Sequence, residues 1–295
     1  MRLSEVAVLA GAAVRRDGEF QNLGFLSDKQ DGMLLFLESP RFARAVGRNG
    51  GVRAILTTPE LAETIPARLA LAVCEQPRLA FAAIHNALEQ TGFYWEEFAT
   101  VIDPQAQVHP TAWIAPKNVR VARNSIVGPH ATILERSVIG ESVNVGAGAV
   151  LGGVGFQTVR TNQAWVEMRH AGGLTVCDGV HILPGAVIAT GLFRDSTELS
   201  SEARVGSQAF ISHGVRLGER AFVGHGAVVN GNVAIGKEAW VGPGAVIANN
   251  LEIGDHAFVS LGAVVIRNVP AGVHISGNFA KSHRGLLRSL AQSAG

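Results

Sequence analysis

The chain has 295 residues, with 25 basic against 24 acidic side chains, 35 glycines, 47% hydrophobic and only 17% charged residues. That length allows one large core or two modest domains. The near-neutral balance excludes a basic field for nucleic acid or an anionic membrane, and no apolar run reaches the roughly 18–20 residues of a membrane span. Cys74 and Cys177 are too far apart in sequence to suggest a disulfide framework or a zinc site. Met1-Arg-Leu-Ser-Glu5 carries no signal-peptide pattern, so a soluble cytoplasmic protein is expected.

In chain order, residues 1–100 read as a small α/β domain. Val52–Leu56 and Ala70–Val73 are expected as short buried strands. Pro40–Val46 and Pro77–Leu88 are expected as helices that open on a proline. A join at 101–109, broken by Pro104 and Pro110, leads into residues 101–275. There an aliphatic residue recurs every sixth position: Val121, Val127, Ile133, Ile139, Val145, Leu151, with Val108 and Ile114 before them out of frame. Residues 152–173, containing Phe156 and Trp165, interrupt the repeat, and a loop that long in a compact fold is usually functional. The repeat resumes at Val176, Ile182 and Ile188, is read as losing one residue near Leu192, and restarts at Phe193 and Leu199. It then runs unbroken from Val205 to Val265. Residues 276–295 read as a tail with a short helix at His283–Gln292.

A period of six fits neither an α-helix nor a pleated strand. It fits a parallel β-solenoid whose triangular coil has three six-residue faces, about 18 residues per turn. Side-by-side packing of such prisms makes a homo-oligomer, expected as a trimer. With coils about 4.8 Å apart, the repeat serves as a ruler. Asp195 falls 18 residues before His213, one coil below it; Asn249 and Asn250 fall two coils above. A histidine with a neighbouring carboxylate suits a general base, the carboxylate holding the tautomer and stabilising imidazolium. The alternative is an exposed rung histidine and an unrelated loop charge. His225 and His256 fall on other faces, and no three histidines converge as a metal site would need. Trp240, at the end of its hexad, packs a corner or flanks a bound acyl chain. No Ser-His-Asp spacing, phosphate-cradling glycine loop or activated cysteine is present, which points away from covalent catalysis.

Short segments then acquire a common reading. Phe36-Leu-Glu-Ser-Pro-Arg-Phe42 resembles S-F-L-A-N-P-x-Y, Pro77-Arg-Leu-Ala-Phe81 resembles N-P-Y-L-A-F, and His109-Pro-Thr-Ala-Trp-Ile114 resembles H-P-T-A-x-I. Gly155-Phe156 with Trp165 stands where a G-F-G-F…G-W loop would be. Ile211-Ser-His213 stands for Q-I-A-H, and Ser276–Arg284 is similar to S-G-G-P-A-L-P-H-R. In this order and spacing they resemble the UDP-3-O-acylglucosamine N-acyltransferases, left-handed parallel β-helix enzymes of lipid A synthesis. The resemblance implies acyl transfer from a carrier-protein thioester to the 2-amino group of a nucleotide sugar, at a site between subunits of a trimer, with no covalently bound cofactor and no metal. It implies His213 as base, Phe36 stacking on the nucleotide base with Ser39 and Phe42 beside it, Phe156, Trp165 and Asn250 facing substrate, and His283 reaching in from the tail.

The departures mark a divergent member. Ser39 replaces the family's asparagine, Phe42 its tyrosine, Val154 its loop aspartate, Glu167-Met-Arg-His170 its K-I-P-Q, Gly214 the asparagine after the base, and Asn250 its second histidine. The expected function is N-acyl transfer to a related acceptor. Gly277-Asn-Phe-Ala-Lys281, close to a G-N-P-A-[KR] ending, keeps open a nucleotide-amino-sugar N-acetyltransferase using acetyl-CoA. A γ-carbonic-anhydrase-like metalloenzyme and a non-catalytic scaffold are the alternatives from other classes.

Overall fold

The computed structural model describes residues 1–28, 30–160 and 165–277, together with Ser282 and Arg284. The helix expected at His283–Gln292 therefore lies outside the described residues.

Near the N-terminus, five strands form one sheet in the order β1-β5-β4-β3-β2: β1 (Ala13–Arg16), β2 (Asn22–Leu23), β3 (Met33–Leu37), β4 (Val52–Thr57) and β5 (Ala70–Val73). Only β1 runs antiparallel to its neighbour. β5 is buried throughout and β4 at every position but Arg53, as parallel strands covered on both faces require. The first expected helix splits into a 3₁₀ turn, Pro40–Phe42, and a helix, Ala43–Arg48; the second spans Pro77–Glu89 and lays Phe81, Ile84, His85 and Leu88 onto the sheet.

The rest is a left-handed parallel β-helix with three sheets of eight or nine very short strands. Val205, Ile211, Leu217, Val223, Val229, Ile235 and Val241 all point inward, none more than 3% exposed. A second inward column, mostly alanine, stands two residues before each of them (Ala203, Ala209, Ala221, Ala227, Ala239). Most hexads thus contribute one large and one small buried side chain to the triangular interior. Glycine follows many of the large residues because the next coil's backbone passes there: a Cβ on Gly206 would lie 2.4 Å from the amide nitrogen of His225. The corners are turned by a residue at positive φ every sixth position, as at Asn232 and Asn250.

The coil-to-coil register corrects one expectation. Val205 pairs with Val223, 18 residues on, but Ile182 pairs with Val205 and Ile188 with Ile211, 23 residues on. The chain gains five residues between Ile188 and Leu199 rather than losing one; modulo six the two are indistinguishable. Phe193 therefore starts no hexad. Leu192 and Phe193 leave the prism and enter the N-terminal core, where the Phe193 ring meets those of Phe25, Phe81 and His85 at centroid distances of 5.1, 5.8 and 5.1 Å.

The longer interruption has a structure of its own. Thr158–Arg160 and Trp165–Glu167 pair antiparallel as a hairpin, and Leu151 pairs with Ile188, 37 residues on. The hairpin is clamped to the helix Pro77–Glu89. Asn86 donates to the Glu167 carbonyl at 2.8 Å and accepts from the Arg169 amide at 2.9 Å. His85 donates through Nε2 to the Arg169 carbonyl at 2.6 Å and accepts at Nδ1 from the Tyr94 hydroxyl at 2.8 Å. Glu89 takes both Arg136 and Arg169. Because Phe193 joins prism and sheet, Phe193→Ala should cost about 3–5 kcal/mol. Denaturant unfolding should then show the N-terminal sheet melting ahead of the prism; an unchanged midpoint would contradict this packing.

Candidate active site

The candidate residues of the prism gather at one corner. His213 follows the strand Phe210–Ile211 and precedes Gly214, which turns the corner at φ 65°. Gly214, Asn232 and Asn250 take the same corner position in three successive coils. The Asn232 amide donates to the His213 carbonyl and the Asn250 amide to the Gly231 carbonyl, both at 2.9 Å. Asn232 Nδ2 donates to Asn250 Oδ1 at 3.3 Å, which leaves Asn232 Oδ1 beside Gly214. A Cβ on Gly214 would lie 2.3 Å from that oxygen and 3.2 Å from Asp195 Oδ2, so glycine is required here by space as well as by φ.

The His213 side chain is 7% exposed. Its imidazole lies against Gly231, one coil above, where a Cβ would fall 2.7 Å from both Cε1 and Nε2. The His170 ring meets it edge-to-face, centroids 5.4 Å apart at 71°. Burial pushes the His213 pKa down, and the charge of Asp195 acts in the opposite direction. The tautomer-holding hydrogen bond expected of Asp195 is not made. Asp195 Oδ1 accepts the Phe193 amide at 2.8 Å, and His213 Nδ1 is enclosed with no hydrogen-bond partner among the described residues. The five-residue insertion brings Asp195 to the right corner but turns its carboxylate onto its own loop. Its influence on His213 is through charge alone.

A groove of about 740 Å³ opens beside this corner, lined by Phe36, Ser39, Phe42, Arg78 and Asn250. β3 delivers Phe36, and the 3₁₀ turn after it presents Phe42, 39% exposed. Arg78 lies over the Phe36 ring, 5.3 Å from its centroid, and pairs with Glu38 at 3.2 Å. A second cavity of about 240 Å³ is lined by Asp28, Asp195, Gly214, Arg216, Asn232 and Asn250. Ser27 and Asn250 belong to both walls, so the two spaces adjoin. Burial, then the charge of Asp195, raises the Asp28 pKa to about 6.

The structure thus brings Phe36, Ser39, Phe42 and Asn250 to one groove, and Asp195 and His213 to one corner. It does not bring Phe156 or Trp165 there: they are 90% and 66% exposed on the hairpin segment and line neither cavity. His283 lies outside the described residues. His225 accepts the Ser207 amide at Nδ1 on another corner, and His256 pairs with Glu238. Sequence reasoning missed His170, Asp28 and Gly231. Gly231 was within reach of the 18-residue ruler, since a ring at 213 needs clearance at 231. His170 and Asp28 lie in aperiodic segments, where no ruler applies.

No family model matches the chain. A UDP-3-O-acylglucosamine N-acyltransferase of Pseudomonas aeruginosa (strain LESB58) is 25% identical over 254 residues, covering 73% of this chain and 68% of the relative. One of Maricaulis maris (strain MCS10) is 27% identical over 249 residues, covering 74% and 71%. The chain is similar to these UDP-3-O-acylglucosamine N-acyltransferases over about three quarters of its length. Among solved structures, a UDP-N-acetylglucosamine acyltransferase from Campylobacter jejuni aligns with a TM-score of 0.51 at 19% identity, over 61% of this chain and 70% of that chain, and shares the fold.

Two predictions follow from the geometry of this corner. Gly231→Ala should displace the His213 ring and abolish most activity while circular dichroism and melting stay near wild type; retained activity would show that the ring has room to move. For Asp28, the folded pKa of about 6 lies above the ordinary 3.8, so the folded state takes up the proton first and gains stability as pH falls through 6. Asp28→Asn should therefore raise the melting temperature at pH 8, with the gain vanishing by about pH 4. A pH-independent difference would remove the carboxyl from this environment.

Proposed function

We propose that this acyltransferase moves an acyl group from a thioester, on a carrier protein or CoA, to the amino group of a nucleotide-linked sugar, with His213 as general base. The observation that carries the reading is the adjacency of three features in one chain. An aromatic groove large enough for a nucleoside (Phe36, Ser39, Phe42) runs through Asn250 into a polar cavity, and that cavity ends at the corner residue following His213.

In this reading the nucleotide base enters between Phe36 and Phe42, and the sugar lies toward Asn250. The amine nitrogen attacks the thioester carbonyl carbon. His213, kept neutral by burial, takes the proton that the nitrogen loses as the C–N bond forms. The C–S bond then breaks, and the departing thiolate receives the proton from the imidazolium. Asp195 stabilises that imidazolium by charge. For Phe156, Trp165 and His283 the support for a part in substrate binding is the resemblance alone.

We infer a homotrimer as the working assembly. Phe222, Trp240 and Phe258 stack in register up one face of the prism, Trp240 and Phe258 being 38% and 40% exposed, an apolar strip suited to a neighbouring copy. Among the described residues no helix is long and apolar enough to cross a membrane. From the resemblance we propose that the reaction takes place in the cytoplasm.

His213→Ala should lower acyl transfer by roughly 10²–10⁴-fold with folding and assembly intact. The assay follows free thiol released from an acyl carrier protein thioester or from acetyl-CoA in the presence of a UDP-amino sugar. Loss below tenfold would remove His213 as the base, and the thioester consumed identifies the donor.

A further inference from the structure

The hairpin inserted after Leu151 delivers a second histidine to the site. His170 is 8% exposed, and its ring edge rests on His213. The Gly155 amide donates to His170 Nε2 at 3.3 Å, so Nε2 carries a lone pair and the neutral ring bears its proton on Nδ1. Arg136 donates to the His170 carbonyl at 3.0 Å. The residue just before it, Arg169, is held at its amide by Asn86, at its carbonyl by His85 and at its guanidinium by Glu89, all on the helix Pro77–Glu89. Three side chains within little more than one turn of that helix thus fix the segment that ends in His170. A loop merely closing a gap in the prism needs no such clamp.

We propose that His170 is a positioning residue for His213: clamped through the hairpin to the N-terminal helix, it walls the imidazole off from water and fixes the plane of its ring. This inference rests on His213 being the base. His213 is enclosed on two sides. Gly231, on the coil above, packs against one part of the ring, and His170, on the hairpin, packs against another. The charged or titratable groups acting on the pair are Asp195, from the five-residue insertion, on His213, and His85, from the helix, on His170. Burial first, and then the proximity of His213 and His85, lowers the His170 pKa to about 4. At neutral pH the wall is therefore uncharged. It excludes water without adding a positive charge that would oppose protonation of the base.

The test uses the full-length protein. The Cε1–H resonance of His213 is followed by NMR as pH is varied, and the acid limb of the kcat/KM profile is measured in parallel. His170→Ala admits water to the ring and should move the His213 titration, and the acid limb with it, upward by about half a unit or more, toward the ordinary histidine value near 6.5. His170→Gln, of similar bulk and with a carbonyl oxygen for the Gly155 amide, should restore the wild-type titration. Asn86→Ala, remote from the reacting atoms, should shift it in the same direction as His170→Ala by releasing the hairpin. A folded His170→Ala whose His213 titration does not move overturns the proposal, even if activity falls. If the titration moves but the acid limb does not follow it, His213 is not the base, and the functional reading fails instead.

Discussion

Everything in this molecule follows from the stacking of one coil's backbone on the next. The strand amides of a coil find their carbonyls in a neighbouring coil, at separations such as 2.9 Å from Phe210 to Ala227 and 2.7 Å from Gly206 to Val223. That ladder satisfies the backbone and fixes which side chains lie above one another. It also limits chemistry. Where a neighbouring coil's backbone passes closest the position is glycine, as at Gly206 and Gly218, and a position between two coils holds only what the adjacent rung leaves room for. His213 is a case in point: its imidazole is accommodated because residue 231 has no side chain.

The ladder was legible because it is periodic, and what was not periodic was not legible. The six-residue spacing gave the prism, its interior residues and its main interruption. It also placed Asp195 one coil below His213, and Asn250 over its neighbour Gly214 two coils above. The same arithmetic misread the second interruption, because a count modulo six cannot tell a lost residue from five gained. The coil-to-coil register and the burial of Leu192 and Phe193 in the N-terminal core distinguish them. The expected hydrogen bond from Asp195 to His213 failed for a related reason. A ruler places Cα atoms in columns but does not say where an inserted loop turns its carboxylate.

His170 lay beyond sequence reasoning for a physical cause. Its position depends on a hairpin held by side chains more than eighty residues earlier, such as Asn86 bonding to Arg169. No local pattern around residue 170 encodes that partnership. The aromatic groove was accessible by resemblance but not by composition: Phe36 sits in a strand that is otherwise buried, and only the tertiary fold separates it from ordinary core.

The location of the site has a structural reason. A perfect solenoid repeats its surface from coil to coil, so it has no unique concavity in which to gather different functional groups. Here both interruptions, residues 152–172 and 190–195, break out between the sheet containing Ile211 and the sheet containing Leu217, and His213, Asn232 and Asn250 line that same edge. The insertions break the repeat in two successive coils, and each carries one residue to His213, a ring from the first and a charge from the second. Both also pack into the N-terminal core, through Met168 and Ala171 in one case and Leu192 and Phe193 in the other. The sheet that forms the aromatic groove is thereby held in a fixed relation to the buried histidine. The regular coils supply rigidity; the departures from regularity supply the site, and they are tied together because each alone would leave His213 either exposed to water or uncoupled from the groove.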